Sequence, residues 1–268
     1  MPGNRLGLRA IFSLVSAGKP LRVFAMLPAV FLLLAGGAAA PQSQQPSQPL
    51  EEIAQHFAEK EQEYARVHAL YRYQLSVKIQ EIGDDNRVVG EFEQVSDVDF
   101  DPGGRRRATL QGNPRTALRY LGVTRVELSD LEFVPLFILA PDEIPNYDIT
   151  YLTRERVDEV NTYVFRLAPR GVPRPTERFF EGIVYVDAEK LDIVRALGRA
   201  LPVQNRGAFN GYFRRLEIFR EPVDDYLFPT YVRADDVISA GQKPVRARLI
   251  LRFSKHEKVR DSAPAPER

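Results

Sequence analysis

The strongest constraint on the fold is a strict alternation of apolar and polar residues in two segments. In 71–80 an apolar side chain stands at every second position, and in 245–253 the pattern returns with three arginines on the polar side. A period of two places the apolar residues on one face of a β-strand and the polar residues on the other. Both segments are therefore predicted to be strands of a sheet that buries one face.

Eight further strands are predicted from apolar stretches bounded by turn residues such as Gly, Pro, Asn and Asp. They span 88–100, 105–110, 147–152, 161–167, 179–187, 191–197, 212–219 and 230–236. One long amphipathic helix is predicted at about 50–69, because apolar residues recur there at helical spacing. These elements predict a mainly β (α+β) fold, in which a large antiparallel sheet, curved or partly closed, carries the N-terminal helix on its apolar face.

A short helical insertion is predicted between the third and fourth strands. Asn113 and Pro114 are typical of a helix start and Gly122 of a helix end, which predicts a short helix between them. An apolar run at 133–140 follows, and its proline together with the proline just after it keeps the run short and irregular.

The first 39 residues have the composition of a secretory signal peptide. They contain four basic residues and no acidic residue, and an uncharged apolar run at 23–35 leads into small residues at 36–40. That run is shorter than the roughly 20 residues that span a bilayer as a helix. We expect cleavage after Ala39 or nearby and export to the periplasm or another exported location. An uncleaved membrane anchor is the alternative.

Composition divides the remainder of the chain into three parts. Residues 40–49 consist almost entirely of Gln, Ser and Pro and predict a flexible linker, and the charged, Pro-containing end at 255–268 predicts a disordered tail. The residues between them, 50–254, are sufficient for one domain with one core.

The residue inventory excludes several classes of function. The chain has no cysteine, which excludes disulfides, thiolate metal sites and a cysteine nucleophile. Without residues 1–39 it carries 33 basic residues, which is 37 less four, and 36 acidic residues. A net charge near −3 gives no electrostatic case for a nucleic-acid partner. Gly-rich phosphate loops and the Gly-x-Ser-x-Gly motif of serine hydrolases are absent as well.

Histidines offer no predicted metal site. His56 and His68 lie twelve residues apart on one helix, and His256 is near the end of the chain. No pair among them has the spacing of metal ligands, so all three are expected to face solvent.

Carboxylate pairs and an arginine run were the remaining candidates for chemistry. The Asp-Asp pairs at 84–85, 224–225 and 235–236 fall in predicted turns or near a strand end, which does not favour general acid–base catalysis. Three arginines at 105–107 suit a phosphate group, but a charged strand edge is the commoner use of such a run. No enzyme activity, cofactor or metal is predicted.

The order of elements and four short motifs resemble a known family. The motifs are Tyr-Val-Phe-Arg-Leu-Ala-Pro at 163–169, Gly-Ile-Val-Tyr-Val-Asp at 182–187, Ile-Val-Arg at 193–195 and Phe-Pro-Thr at 228–230. With the preceding helix and strands, they are similar to the superfamily of the outer-membrane lipoprotein-sorting factor LolA. This resemblance implies an open half-barrel covered by helices, with an apolar cavity. It also implies a carrier for a hydrophobic ligand or a lipidated protein, with an envelope protein as a further partner.

Aromatic and aliphatic residues of the strands and of the insertion are the candidate ligand-binding residues. One helix is a thin cover for ten strands, so unless the sheet closes on itself, surface remains for an apolar ligand such as an acyl chain. The candidates are Tyr71, Tyr73, Leu75, Val77, Phe92, Phe133, Phe137 and Phe165. A filled interior with an exposed patch would instead indicate a structural or protein-binding module of the envelope. An enzyme would need converging polar groups, which the sequence does not show.

Overall fold

A computed structural model gives the fold of most of the predicted domain. It describes residues 48–101, 104–125, 128, 136, 138–171, 174, 179–201, 213, 215–240 and 243–259. The chain divides into the units Met1–Gln42 and Ser43–Arg268, and the described residues belong to the second. The predicted signal peptide, most of the linker, and the candidates Phe133 and Phe137 lie outside the described residues.

The elements whose two ends both lie in the described residues are one α-helix, one short 3₁₀ helix and eleven strands. They are α1 (Leu50–His68), β1 (Tyr71–Ile82), β2 (Val88–Phe100), β3 (Arg106–Leu110), β4 (Arg115–Thr116), the 3₁₀ helix η1 (Pro141–Asn146), β5 (Tyr147–Val157), β6 (Val160–Pro169), β7 (Phe179–Asp187), β8 (Ile193–Leu201), β9 (Leu216–Val223), β10 (Tyr226–Ala240) and β11 (Lys243–Lys258).

All strands belong to one antiparallel sheet. Its order is β3-β2-β1-β11-β10-β9-β8-β7-β6-β5, and β4 pairs with β2 beside β3. Neighbours in the order are neighbours in sequence, except that β1 pairs with β11 and thereby joins the first strand to the last. In the described part of the chain β3 and β5 are edges that do not meet, so the sheet is an open half-barrel. The predicted fold class is confirmed.

One face of the sheet, which we call the inner face, carries α1 and the core. Tyr73, Leu75, Val77 and Ile79 of β1 all point to it and are buried, as the alternation of the sequence predicted. The apolar stripe of α1 packs on the same core and contributes the fully buried Phe57. Burying one such side chain stabilises the fold by about 1.5–3 kcal/mol.

The helix predicted at 113–122 is wrong. Arg115–Thr116 form β4, and the backbone amides that follow are bound by a carboxylate from another strand. The buried Glu81 accepts hydrogen bonds from the backbone N–H groups of 119–121, at 2.7–2.8 Å. Those donors are therefore not available to a helical hydrogen-bond ladder. A short helix of the insertion lies later, in η1, where Pro141 occupies the first turn, a position that needs no N–H donor.

The last strand of the sheet extends further than the sequence indicated. Strand β11 continues to Lys258, so the residues 255–258, assigned to a disordered tail, belong to the sheet. They pair with the start of β1, where Arg72 forms an ion pair with Glu257 at 2.5 Å. Alternation becomes irregular after Phe253, which is why the pattern alone ended the strand there.

Candidate functional site

Five of the predicted ligand residues meet on the inner face. Tyr73, Leu75, Val77, Phe92 and Phe165 belong to one buried cluster that also includes residues of α1. Each is at most 8% exposed. The fold places these five side chains in one cluster, and their contact with a ligand stays a prediction.

Tyr71 lies apart from that cluster. The register between β1 and β11 shifts between Arg72 and Gln74, which marks a β-bulge next to Tyr71. Tyr71 packs with Tyr64 and Phe228 in a second, smaller cluster. Its hydroxyl donates a hydrogen bond to the carboxylate of Asp224 at 2.6 Å. Burial, followed by this bond and the negative charge of Asp224, raises the pKa of Tyr71.

Helix α1 closes the inner face directly over these residues. The ring of Phe57 lies 5.8 Å from the ring of Phe165, which is also 5.7 Å from the ring of Tyr151. Ile138 and Leu139, just before η1, are buried in the same cluster. The described cover of the inner face thus includes α1 and the segment at Ile138 and Leu139, and further apolar residues from 118–128 pack against the same cluster.

A buried ion pair joins this cover to the sheet. Glu61 of α1 and Arg220 of β9 form a two-fold contact, with the Nη2 atom of Arg220 donating to Oε2 of Glu61 at 2.9 Å. Their side chains are 3% and 2% exposed. The guanidinium also donates to the carbonyl of Leu136 at 2.8 Å, and the N–H of Ile138 donates to Glu61 at 2.9 Å. Helix, sheet and extended segment therefore share one polar junction.

The surroundings keep Arg220 charged. Burial alone would lower the pKa of Arg220, but the adjacent carboxylate of Glu61 raises it above its ordinary value. Burial raises the pKa of Tyr64, whose ring lies 5.3 Å from the guanidinium carbon. A polar pocket of about 210 Å³ lies beside the pair and is lined in part by Lys60 and Asp192. Burial raises the pKa of Asp192.

Sequence reasoning missed this junction, although each half has a signal. Glu61 occupies the apolar stripe of α1, four residues after Phe57 and three before Tyr64. Arg220 occupies an inner-face position of β9, two residues after the buried Ile218. In each of the two elements, a charged residue stands at a position that the periodicity assigns to the buried face. Two such charges of opposite sign predict a buried ion pair.

The expectation that all three histidines face solvent is wrong for His68. Its side chain is buried among aromatic rings, with that of Phe100 at 5.2 Å and those of Tyr73 and Tyr64 at 5.5 and 5.6 Å. Burial, and then the positive charges of His256 and Arg106, lower the pKa of His68 to about 3. His68 ends α1, where the helical stripe that holds Tyr64 continues by one turn.

The other candidate groups have structural partners. Arg105 and Arg107 bind the buried carboxylate of Asp101, at 3.1 and 3.4 Å, at the start of the edge strand β3. Asp235 is bound by Arg233 and Arg248 across the outer face of the sheet. Within the described residues, no group of three or more His, Asp or Glu side chains is placed to hold a metal ion.

In the described part of the chain, no helix is both long enough and apolar enough to cross a bilayer.

Comparison with known proteins gives only remote matches. No family model matches the sequence, and no curated protein matches it. Solved structures do match. A DUF1329 family protein from Desulfovibrio piger has 13% identity and a TM-score of 0.38, over 82% of this chain and 97% of the other.

Two further solved structures carry the names that the sequence suggested. A LolA superfamily protein from Nitrosomonas europaea has 15% identity and a TM-score of 0.35, over 78% of this chain and 94% of the other. An outer membrane lipoprotein-sorting protein domain from Vibrio parahaemolyticus has 10% identity and a TM-score of 0.32, over 77% and 90%. The chain thus resembles LolA-like proteins remotely. At these values the likeness carries no conclusion about a ligand or a partner.

Proposed function

We propose that this is an exported, non-enzymatic protein that binds a hydrophobic ligand between α1 and the inner face of the sheet. The ligand is an acyl chain, a lipid or the lipid part of a lipoprotein, and the role is that of a carrier or sensor in the cell envelope. The observation that carries the proposal is the buried ion pair of Glu61 and Arg220, which fastens a thin cover over a large apolar face.

An ion pair is a suitable fastening for a cover that opens. Stability alone does not require it, because apolar residues of similar volume in place of a buried pair are often neutral or stabilising. When a cover lifts, apolar side chains lose their burial, whereas Glu61 and Arg220 regain hydration. The free energy needed to separate this contact is therefore lower than that needed to separate an apolar contact of the same area.

The apolar face beneath the cover supplies the binding energy. Burying an acyl chain gains about 0.8 kcal/mol per methylene, so a chain of about sixteen carbons gains roughly 13 kcal/mol in gross terms. Association and ordering consume several kcal/mol of that gain. The remainder corresponds to a Kd near 1 μM.

Titration of the purified protein with fatty acids of eight to sixteen carbons tests the proposal. Affinity should rise with chain length, by up to about fourfold per buried methylene, and native mass spectrometry should show one bound chain. Leu75→Arg places a cation on the inner face and should abolish binding. Gln74→Arg is the matched control, because Gln74 lies on the outer face, where it donates to Asp97 at 3.3 Å.

Two outcomes would contradict the proposal. One is a wild-type protein that binds no fatty acid, and the other is an affinity that does not depend on chain length. Circular dichroism must first show that both variants are folded, since a collapsed sheet would mimic lost binding. If the proposal fails, a structural or protein-binding module of the envelope is the better account.

A further inference from the structure

A row of aromatic and arginine side chains crosses the outer face of the sheet, opposite α1. In the strand register, each of its members stands directly across from the next on five adjacent strands. The members of this outer-face row are Tyr185 of β7, Arg195 of β8, Phe219 of β9, Tyr231 of β10 and Arg252 of β11. The first four are partly exposed and Arg252 is exposed.

The row is too apolar for a sheet face whose only role is to meet water. Antiparallel sheets with one covered face normally carry polar side chains on the other. Here three aromatic rings of the row adjoin Ile183, Leu197 and Ile250, which are also partly exposed on the outer face. Arginine and aromatic residues together are the composition of the centre of a protein interface.

Contacts within the row hold the side chains in place. The guanidinium of Arg195 lies over the rings of Tyr185 and Phe219, at 5.1 and 5.2 Å, and that of Arg252 lies over the ring of Tyr231 at 5.1 Å. The rings of Phe219 and Tyr231 are 5.8 Å apart. Such cation–π contacts reduce the freedom that a partner would otherwise have to remove on binding.

Among the described residues, one cation of the row has no carboxylate partner. Arg195 forms an ion pair with Glu217, and the nearby Arg233 is bound to Asp235. Within the part of the chain that the structure describes, the recorded contact of Arg252 is its stacking on Tyr231. A charge of this kind beside partly exposed aromatic rings is complementary to a single carboxylate.

We propose that the outer-face row is a docking site for a protein partner that presents a carboxylate to Arg252 and an apolar side chain to Phe219 and Tyr231. Within the row Arg195 is paired with Glu217, so over the described part of the chain the row itself presents one free cation among three aromatic rings. An anionic membrane instead attracts a cluster of several free cations. An arginine binds a single carboxylate through paired, charge-assisted hydrogen bonds. The proposal is independent of ligand binding on the inner face.

Two experiments test the proposal. The first is site-specific cross-linking in cells of the source organism, and the second reverses the charges of Arg252 and of its partner carboxylate. The full chain carries p-benzoylphenylalanine in place of Tyr185, and mass spectrometry identifies the linked peptide. That peptide, made synthetically, is then titrated against the purified protein by fluorescence anisotropy. Arg252→Glu should weaken its binding at least tenfold, and an Asp or Glu to Lys change in the peptide should restore binding to Arg252→Glu alone.

Arg246→Glu is the matched control, because Arg246 is an exposed outer-face residue of the same strand, six positions away from Arg252. It should change the affinity for the peptide less than twofold. Fatty-acid binding should be the same in wild type and in Arg252→Glu, which separates this proposal from the one for the inner face. Cross-links only to lipid, only to a second copy of the chain, or to nothing would overturn the proposal. Peptide binding that is insensitive to Arg252→Glu would overturn it as well.

Discussion

Mild acid should destabilise this protein through one buried histidine. The pKa of His68 is about 3 in the folded state, because burial excludes its charged form and because His256 and Arg106 add positive charge nearby. In the unfolded chain the value returns to 6.5. Below pH 6.5 the unfolded state therefore binds more protons than the folded state. The stability contributed by the neutral His68 is fully present above that pH and is lost as the pH falls towards 3.

The size of the effect follows from the two pKa values. Between pH 7 and pH 5 an unfolded His68 takes up most of one proton while the folded side chain remains neutral. Integrating this difference gives a loss of about 2 kcal/mol in the free energy of unfolding. Burial also lowers the pKa of His256, which adds to the loss. For a domain of this size, 2 kcal/mol is a large part of a stability of about 5–15 kcal/mol.

Urea unfolding at pH 7 and at pH 5 measures this loss. His68→Phe keeps a ring of similar size but cannot take up a proton, so its loss between the two pH values should be smaller than that of wild type by about 2 kcal/mol. The control is His56→Gln, since His56 is exposed on α1 and should leave the pH dependence unchanged. A His68→Phe variant that loses as much stability as wild type would refute the reasoning.

Three further predictions concern the cover and the start of the chain. Arg220→Met leaves Glu61 buried without its partner and should lower the free energy of unfolding by about 3–5 kcal/mol. A second change, Glu61→Leu, should restore most of that loss in urea unfolding, and additive losses would contradict this. Glu81→Gln removes the charge that holds three backbone amides and should cost about 2 kcal/mol, whereas Glu91→Gln on the outer face should cost under about 0.5 kcal/mol. N-terminal sequencing of the protein from an envelope fraction should begin near Ala40, and an intact Met1 in the membrane pellet would favour an anchor.

The sheet was predictable because its signal is local. Alternation in 71–80 depends only on neighbouring residues, and the buried face it predicted is the inner face of β1. The same holds for α1, whose apolar stripe fixed its start at Leu50. Strand ends were less predictable, because β5 and β10 continue beyond their apolar stretches with polar residues that are paired in the sheet.

The polar junctions were not predictable in the same way, because each depends on two distant positions. Glu61 and Arg220 are 159 residues apart, and either charge alone reads as an interruption of an apolar pattern. Glu81 reads as a polar residue near the end of a strand, yet it binds amides 38–40 residues away and replaces a predicted helix. The absence of side-chain bulk at Gly90 supports that arrangement, since a Cβ there would lie 2.3 Å from the Glu81 carboxylate.

Three of the buried polar groups lie where α1 meets the sheet, and that place separates the behaviour of the cover from that of the sheet. Glu61 and Arg220 fasten the middle of α1, and His68 lies at its carboxyl end. The centre of the sheet, in contrast, is held by apolar side chains and by long runs of paired strands. Protonation of His68 or loss of a charge from the pair of Glu61 and Arg220 acts first on the contacts between α1 and the sheet. The cover should therefore open at a lower free energy than the sheet unfolds, which the proposed binding beneath α1 would require.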